Sequence, residues 1–243
     1  MKEEIIKYLR QIEKEEDIKI LYACESGSRS WGFEHENSDY DVRFIFKRNN
    51  LTDYLCLEKK KEEIIIIKGE IDLFGWDIRK VLLLHYDNNP EIREWLISED
   101  VYIKMDKDYF EGISDFDNSG LMKHYFSIVN GDLDRKHRGK KERKLKRRLY
   151  DIRCIISWMI LEKGLSPKIK ILELIEQIEL EDKLKDNIKK MIKDHKSQNE
   201  TIKKDNLRFI DNWINGCYNM MMEKNDNLIS KKKDKELYDN ILL

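Results

Sequence analysis

The stretch Glu25-Ser26-Gly27-Ser28-Arg29-Ser30-Trp31-Gly32-Phe33, followed shortly by Asp39-Tyr40-Asp41, decides how this chain reads. A glycine-serine turn runs into two alternate aspartates. Alternate side chains of a strand share a face, so a strand over Asp39 to Phe46 carries Asp39, Asp41 and Arg43 on one side. Tyr40, Val42, Phe44 and Phe46 then point to the other side and bury. Two carboxylates held side by side on a stiff element suit Mg²⁺, which keeps several waters and takes its remaining ligands from substrate phosphates. The turn complements them: Gly27 lets backbone approach a phosphate closely, and Ser28 adds a hydroxyl and an N–H. The combination points to nucleotidyl transfer.

Outward from this stretch, Ile5, Leu9 and Ile12 recur at helical spacing over residues 1 to 16, and Ile18 to Cys24 reads as the strand entering the turn. Glu63 to Lys68 and Glu70 to Trp76 read as two strands reversing at Lys68-Gly69. From Asp77 the period becomes helical, ending near Asn88-Asn89-Pro90, where a second helix through Trp95 starts with proline in its first turn. From about Leu121 the periodicity is almost wholly helical, interrupted at Gly164-Leu165-Ser166-Pro167. The expected fold is therefore α+β, a mixed-sheet core over residues 1–118 followed by an all-α domain over 119–243. The tail from Asn225 reads as polar enough to fray, with Leu237, Ile241 and Leu242 able to pack as a last amphipathic turn.

Within Glu70-Ile71-Asp72-Leu73-Phe74-Gly75-Trp76-Asp77 lies a candidate third carboxylate, because in-line phosphoryl displacement with two metals ordinarily uses more than two acidic ligands. Asp72 falls inside the strand. Asp77 falls where the helix begins and suits an N-cap, which leaves it the reserve. Three such carboxylates repel by roughly 4 kcal/mol per pair at 4 Å and an effective dielectric of 20, so a bound cation should stabilise the fold.

The GS turn, the Asp39-x-Asp41 pair and the later acidic strand together resemble the DNA polymerase β nucleotidyltransferase superfamily. More narrowly, Gly27 to Phe33, Ser38-Asp39-Tyr40-Asp41-Val42-Arg43-Phe44-Ile45-Phe46, Asp72 to Lys80 and Asn88 to Leu96 are similar to its branch of predicted nucleotidyltransferases associated by name with RNA repair. The resemblance is clear over residues 20 to 100 and continues more weakly to about 175, through Lys146 to Arg153 and Ser166-Pro167. It implies Mg²⁺ or Mn²⁺ held by Asp39, Asp41 and Asp72, an NTP as donor, pyrophosphate as leaving group, and Asp72 in the third-carboxylate place, although the family pattern does not by itself separate Asp72 from Asp77.

Nucleotide contacts are expected from Gly27, Ser28 and Arg29 at the turn. Lys146, Tyr150 and Arg153, at i, i+4 and i+7, put ammonium, phenol and guanidinium on one helix face. Residues 135–148 hold ten lysines and arginines in fourteen positions. That run is open to two readings, an RNA-phosphate surface or the solvated face of a helix whose Leu145, Leu149, Ile152 and Ile156 pack inward. Arg43 reads as a structural ion pair, and Trp31, Trp76, Trp95 and Trp158 as packing residues.

With a formal net charge of −1, the 243-residue chain has no global attraction for polyanions. Cys24, Cys56, Cys154 and Cys217 form no CxxC pair, which argues for reduced thiols rather than zinc or a disulfide framework. Apolar runs such as Ile64 to Ile67 are too short for a membrane span, and a cytoplasmic location is expected. No HExxH, GxSxG or P-loop pattern occurs. Two alternatives remain beside the leading reading: a catalytically silent RNA-binding or antitoxin-like module on the same fold, and an enzyme that modifies a protein or small molecule.

Overall fold

The computed structural model describes residues 1–55, 57, 60–106, 109–137, 144–198 and 204–242. The chain divides into two compact units, one of Met1–Ser30, Ser38–Asp115 and Lys233–Leu243, the other of Trp31–Asn37 and Phe116–Lys232.

In the first unit, α1 (Lys2–Glu15) buries Ile5, Leu9 and Ile12 on one face. Five strands follow: β1 (Ile18–Ser26), β2 (Tyr40–Arg48), β3 (Glu63–Lys68), β4 (Ile71–Asp77) and β5 (Val101–Ile103). They make one mixed sheet in the order β3-β4-β2-β1-β5. β2 and β4 run parallel, while the other three pairings are antiparallel. The α1 stripe packs with Ile18, Ile20, Val42, Phe44, Phe46, Ile71 and Leu73 in one apolar cluster, so alternate residues of β2 and β4 are committed to that face and their neighbours to the other.

β2 begins at Tyr40, whose N–H donates to Glu70 O at 2.7 Å, and not at Asp39. The expected alternation holds for Val42, Phe44 and Phe46 but does not extend back through a strand residue at Asp39. β3 and β4 reverse at Gly69, as the sequence predicts. The short α2 (Gly27–Trp31) follows the turn. α3 (Ile78–Tyr86) is capped by Asp77 and α4 (Pro90–Leu96) by Asn89, with Pro90 in its first turn. Trp76 and Trp95 stack with ring centroids 4.5 Å apart.

The C-terminal segment, read in the sequence as polar enough to fray or able to pack as a last amphipathic turn, forms the helix α10 (Lys235–Leu242) and belongs to the first unit. Tyr238 is buried, its hydroxyl 2.9 Å from His85 Nδ1, and the buried Lys233 Nζ donates to His85 O at 2.7 Å. The ammonium adds a second donor to a carbonyl that already accepts from Asn88 N–H at 3.1 Å, and its charge at the last turn of α3 complements the helix dipole.

The second unit is helical: α5 (Asn118–His137), α6 (Leu145–Glu162), α7 (Ile171–Gln177), α8 (Asp182–Lys196) and α9 (Lys204–Asn225). α6 is buried around almost its whole circumference, Leu149, Ile152 and Ile156 among its core residues. Trp158 joins them, and Phe33 belongs to the same core although it comes from the short Trp31–Asn37 segment. Arg148 is buried too, and forms a two-pronged pair with Asp211, Nε and Nη2 each 2.9 Å from a carboxylate oxygen. Among the described residues no helix is long and apolar enough to cross a membrane. Cys24, Cys154 and Cys217 are free thiols; Cys56 lies outside the described residues.

Candidate nucleotidyl-transfer site

Register across the sheet brings the first group of site residues together. Ser26 on β1 lies opposite Asp41 on β2, and Asp41 lies opposite Asp72 on the parallel neighbour β4. Directly paired residues share a face, so these three form one row. Behind it runs a second row, Cys24, Arg43 and Phe74. Arg43 leans from the second row into the first: Nη2 lies 3.0 Å from Asp41 Oδ1 and 3.4 Å from Asp72 Oδ2. One guanidinium nitrogen thus serves both carboxylates.

Beyond Ser26 the chain turns at Gly27, whose φ of +62° is a left-handed conformation that L side chains rarely adopt. A Cβ placed there would overlap Asp41 Oδ2 and sit 2.6 Å from Asp41 Cγ. The turn backbone therefore lies directly against one carboxylate. Ser28 is buried. Arg29 donates to Ser38 O at 2.7 Å and to Asp39 O at 3.2 Å, and its guanidinium carbon lies 3.8 Å from the Tyr40 ring centroid. It clamps the approach to β2 and holds Asp39 by its backbone.

In the helical unit, Tyr150 and Arg153 meet as the helical spacing implies, around Trp31. The Arg153 guanidinium carbon is 4.5 Å from the Trp31 ring and 5.3 Å from the Tyr150 ring, and the two rings are 5.0 Å apart. The Arg147 guanidinium carbon also lies over the Tyr150 ring, 4.9 Å from its centroid. Lys146 is exposed and Arg153 is 2% exposed.

A family model described as RlaP, the RNA repair pathway DNA polymerase beta family, matches residues 1–243. The chain belongs to this family. The match runs beyond residues 20 to 175, which carry the sequence resemblance, to include the whole helical half. A Bacillus subtilis (strain 168) relative, the uncharacterized protein YcgL, is 31% identical over 243 residues, covering 96% of this chain and 92% of that protein. A crystal structure of a nucleotidyltransferase-like protein from Exiguobacterium sibiricum 255-15 covers 90% of this chain and 75% of its own, at 13% identity and a TM-score of 0.35.

For this member of the RNA repair pathway DNA polymerase beta family, Asp72 and Asp77 occupy different environments. Asp77 pairs in register with Phe46, five residues along β4 from Asp72 and hence on the opposite face, roughly 17 Å away. Its Oδ1 accepts from Arg79 N at 2.8 Å, capping α3, and its Oδ2 accepts from the Tyr54 hydroxyl at 2.9 Å. Burial, opposed by those two hydrogen bonds, holds its pKa above the usual aspartate range. Both oxygens are engaged in structure.

Asp39, Asp41 and Asp72 do not close into one cluster: among the described residues no group of three or more His, Cys, Asp or Glu side chains is arranged to hold a metal ion. The pair that converges is Asp41 with Asp72. Within the basic run, 138–143 lie outside the described residues, while Arg147 pairs with Asp132 and Arg148 with Asp211.

One residue of the neighbourhood went unassigned in the sequence. Glu25 is buried, and its Oε1 accepts the Asp41 N–H at 2.9 Å while its Oε2 accepts the Tyr102 hydroxyl. Burial raises its pKa against the pull of these two donors. Glu25 ties the start of β2 to β5. Its only sequence signal was its place beside the GS turn, since Tyr102 sits in a three-residue strand too short to read from periodicity.

Proposed function

We propose that the chain is a divalent-metal-dependent nucleotidyltransferase that moves a nucleoside monophosphate from an NTP to a hydroxyl acceptor, with RNA as that acceptor, and releases pyrophosphate. The observation that carries this reading is the Gly27 turn packed against a carboxylate that is itself paired across the sheet with a second one. Membership of the RNA repair pathway DNA polymerase beta family supports the reaction class and the choice of RNA.

Two of the three carboxylates suit a cation. Asp41 and Asp72 converge on one positively charged nitrogen of Arg43, so the space between them already favours positive charge. Mg²⁺ or Mn²⁺ would be held there by Asp41 and Asp72, with Asp39 at the entrance to β2, and would offset phosphate charge and lower the pKa of the attacking hydroxyl.

The residues around the turn divide the work of that reaction. Gly27, lacking a side chain, leaves room for phosphate oxygens beside Asp41, and Ser28 supplies an N–H to them. Asp41, 22% exposed and pressed against the turn, faces the triphosphate; Asp72, 36% exposed, faces the acceptor and takes its hydroxyl proton. The acceptor oxygen bonds to the α-phosphorus as the bond from that phosphorus to the bridging oxygen breaks, and the electron pair leaves with pyrophosphate. Arg43 keeps the two carboxylates from repelling each other before substrate arrives. Within the helical unit taken by itself, Tyr150 and Trp31 would offer aromatic surface to a base and Lys146 a cation to phosphate, with the Arg153 guanidinium against both rings.

Incubation with each labelled NTP, Mg²⁺ or Mn²⁺ and total RNA tests this. Label should enter RNA, and Asp39→Ala with Asp41→Ala should abolish it; label entering protein or a small molecule would overturn the choice of acceptor. Binding of the RNA should weaken steeply with salt. One observation favours a second reading, a catalytically silent RNA-binding module: Arg43 satisfies the carboxylate pair without any metal. RNA binding that neither consumes NTP nor depends on Asp41 would establish it.

A further inference from the structure

β3 is an outer strand of the sheet, and its sequence Glu63-Ile64-Ile65-Ile66-Ile67-Lys68 contains no proline. Ile65 and Ile67 are 63% and 72% exposed. An apolar edge strand of this kind is a template for another strand unless something protects it. Its outward groups can be assigned. Asp77 N donates to Glu62 O at 2.9 Å, which sets the phase of the β3–β4 ladder: Glu62, Ile64, Ile66 and Lys68 turn their backbone groups to β4, and Glu63, Ile65 and Ile67 turn theirs away from it.

We propose that β3 pairs antiparallel with β3 of a second copy of this chain, about a two-fold axis through Ile65. An axis perpendicular to a sheet keeps each face on its own side, so opposed residues must share a face and the register must be centred on a residue. Charge selects which one. Glu62 and Lys68 stand three residues either side of Ile65, so centring there sets Glu62 against Lys68 of the copy at both ends. It also sets Ile64 against Ile66 and Ile65 against itself. Centring on Ile64 would oppose Lys60 and Lys68, and centring on Ile66 would oppose Lys68 and Ile64, wasting the charge.

In the chosen register the outward residues Glu63, Ile65 and Ile67 of each strand complete about six hydrogen bonds. It is this self-complementary pattern that identifies the occupant as the chain itself. Asp72 and Ile67 are direct partners on β4 and β3, so both Asp41–Asp72 pairs would open on the same face of a continuous sheet.

Cross-linking reads the register. Residues directly opposed in a hydrogen-bonded antiparallel pair have Cα atoms about 5.5 Å apart, within disulfide range. Ile65→Cys should therefore oxidise to a covalent dimer on a non-reducing gel, at a yield well above the wild-type chain, whereas Ile67→Cys, equally exposed but opposed to Glu63, should not. By sedimentation at tens of micromolar the wild-type protein should be a dimer and Ile65→Lys a monomer that still melts cooperatively, at a temperature that, unlike the wild type's, does not depend on protein concentration. Lys68→Glu should weaken the dimer about tenfold and Glu62→Lys with Lys68→Glu should restore it. A wild-type monomer, a dimer that survives Ile65→Lys, equal cross-linking at Ile67→Cys, or a different protein bound along β3 would each overturn the proposal. None of these readouts depends on nucleotidyl transfer.

Discussion

Gly27 and Asp41 are packed so closely that any side chain at residue 27 would occupy the position of an Asp41 carboxylate oxygen. Gly27→Ala should therefore cost on the order of 1 kcal/mol from its φ of +62° alone and should displace Asp41 as well. Transfer activity should fall by about 100-fold or more, since a shift of roughly 1 Å in a reacting group has that effect. Gly69→Ala is the control: its φ is +61°, but a Cβ there meets nothing within 4 Å. Thermal melts should show the φ cost alone for Gly69→Ala and a larger loss for Gly27→Ala, and only Gly27→Ala should lose activity.

Arg43 competes with any cation for Asp41 and Asp72. Arg43→Gln should lower stability by about 1–3 kcal/mol in chelator, because two partly buried carboxylates lose their counter-charge. The same variant should show a larger rise in melting temperature with Mn²⁺ than the wild-type protein. Asp41→Asn with Asp72→Asn should abolish the rise. Fluorescence melts against Mn²⁺ concentration check all three, and an unresponsive wild-type protein would remove the basis for a metal site.

Asp72 and Asp77 should separate function from folding. Asp77→Ala removes an N-cap and the acceptor of the Tyr54 hydroxyl, so urea unfolding should register a loss of about 1–2 kcal/mol with turnover per folded molecule little changed. Asp72→Asn should leave the unfolding midpoint near the wild-type value and remove turnover.

His85 makes the first unit acid-sensitive. Burial, reinforced by the positive charge of Lys233, lowers its pKa from 6.5 to about 3. The unfolded chain takes up a proton that the folded chain refuses. The contribution of His85 is thus fully present above about pH 6.5 and is lost progressively toward about pH 3, with a slope of at most about 1.4 kcal/mol per pH unit. His85→Gln, which keeps a polar partner for Tyr238, should flatten the stability profile between those limits. An unchanged slope in urea melts across that range would show that His85 is already protonated in the fold.

Much of the fold was legible because its signals are local. Ile5, Leu9 and Ile12 at helical spacing, the alternation of Val42, Phe44 and Phe46, and the Asn89-Pro90 helix start each follow from steric or solvation rules acting within a few residues. β5 was not legible, because a three-residue strand has no period to detect, and Glu25 acquired a partner only when Tyr102 arrived from that strand. The C-terminal segment was legible only in part: its lysines mark it as polar, yet Lys233 is buried and donates to His85 O of α3, a partner far away in sequence.

By itself the sequence determined that a glycine-serine turn precedes an aspartate pair, that an acidic strand follows, and that the second half is helical, since each is a matter of residue order and short-range periodicity. Tertiary structure decided which acid stands beside which. Asp41 meets Asp72 rather than Asp77 because β2 and β4 pair in one parallel register, and Tyr150 meets Arg147 and Trp31 because side-chain packing ranks neighbours by three-dimensional proximity. Register and packing are set by contacts between residues tens of positions apart, and local periodicity carries no record of them.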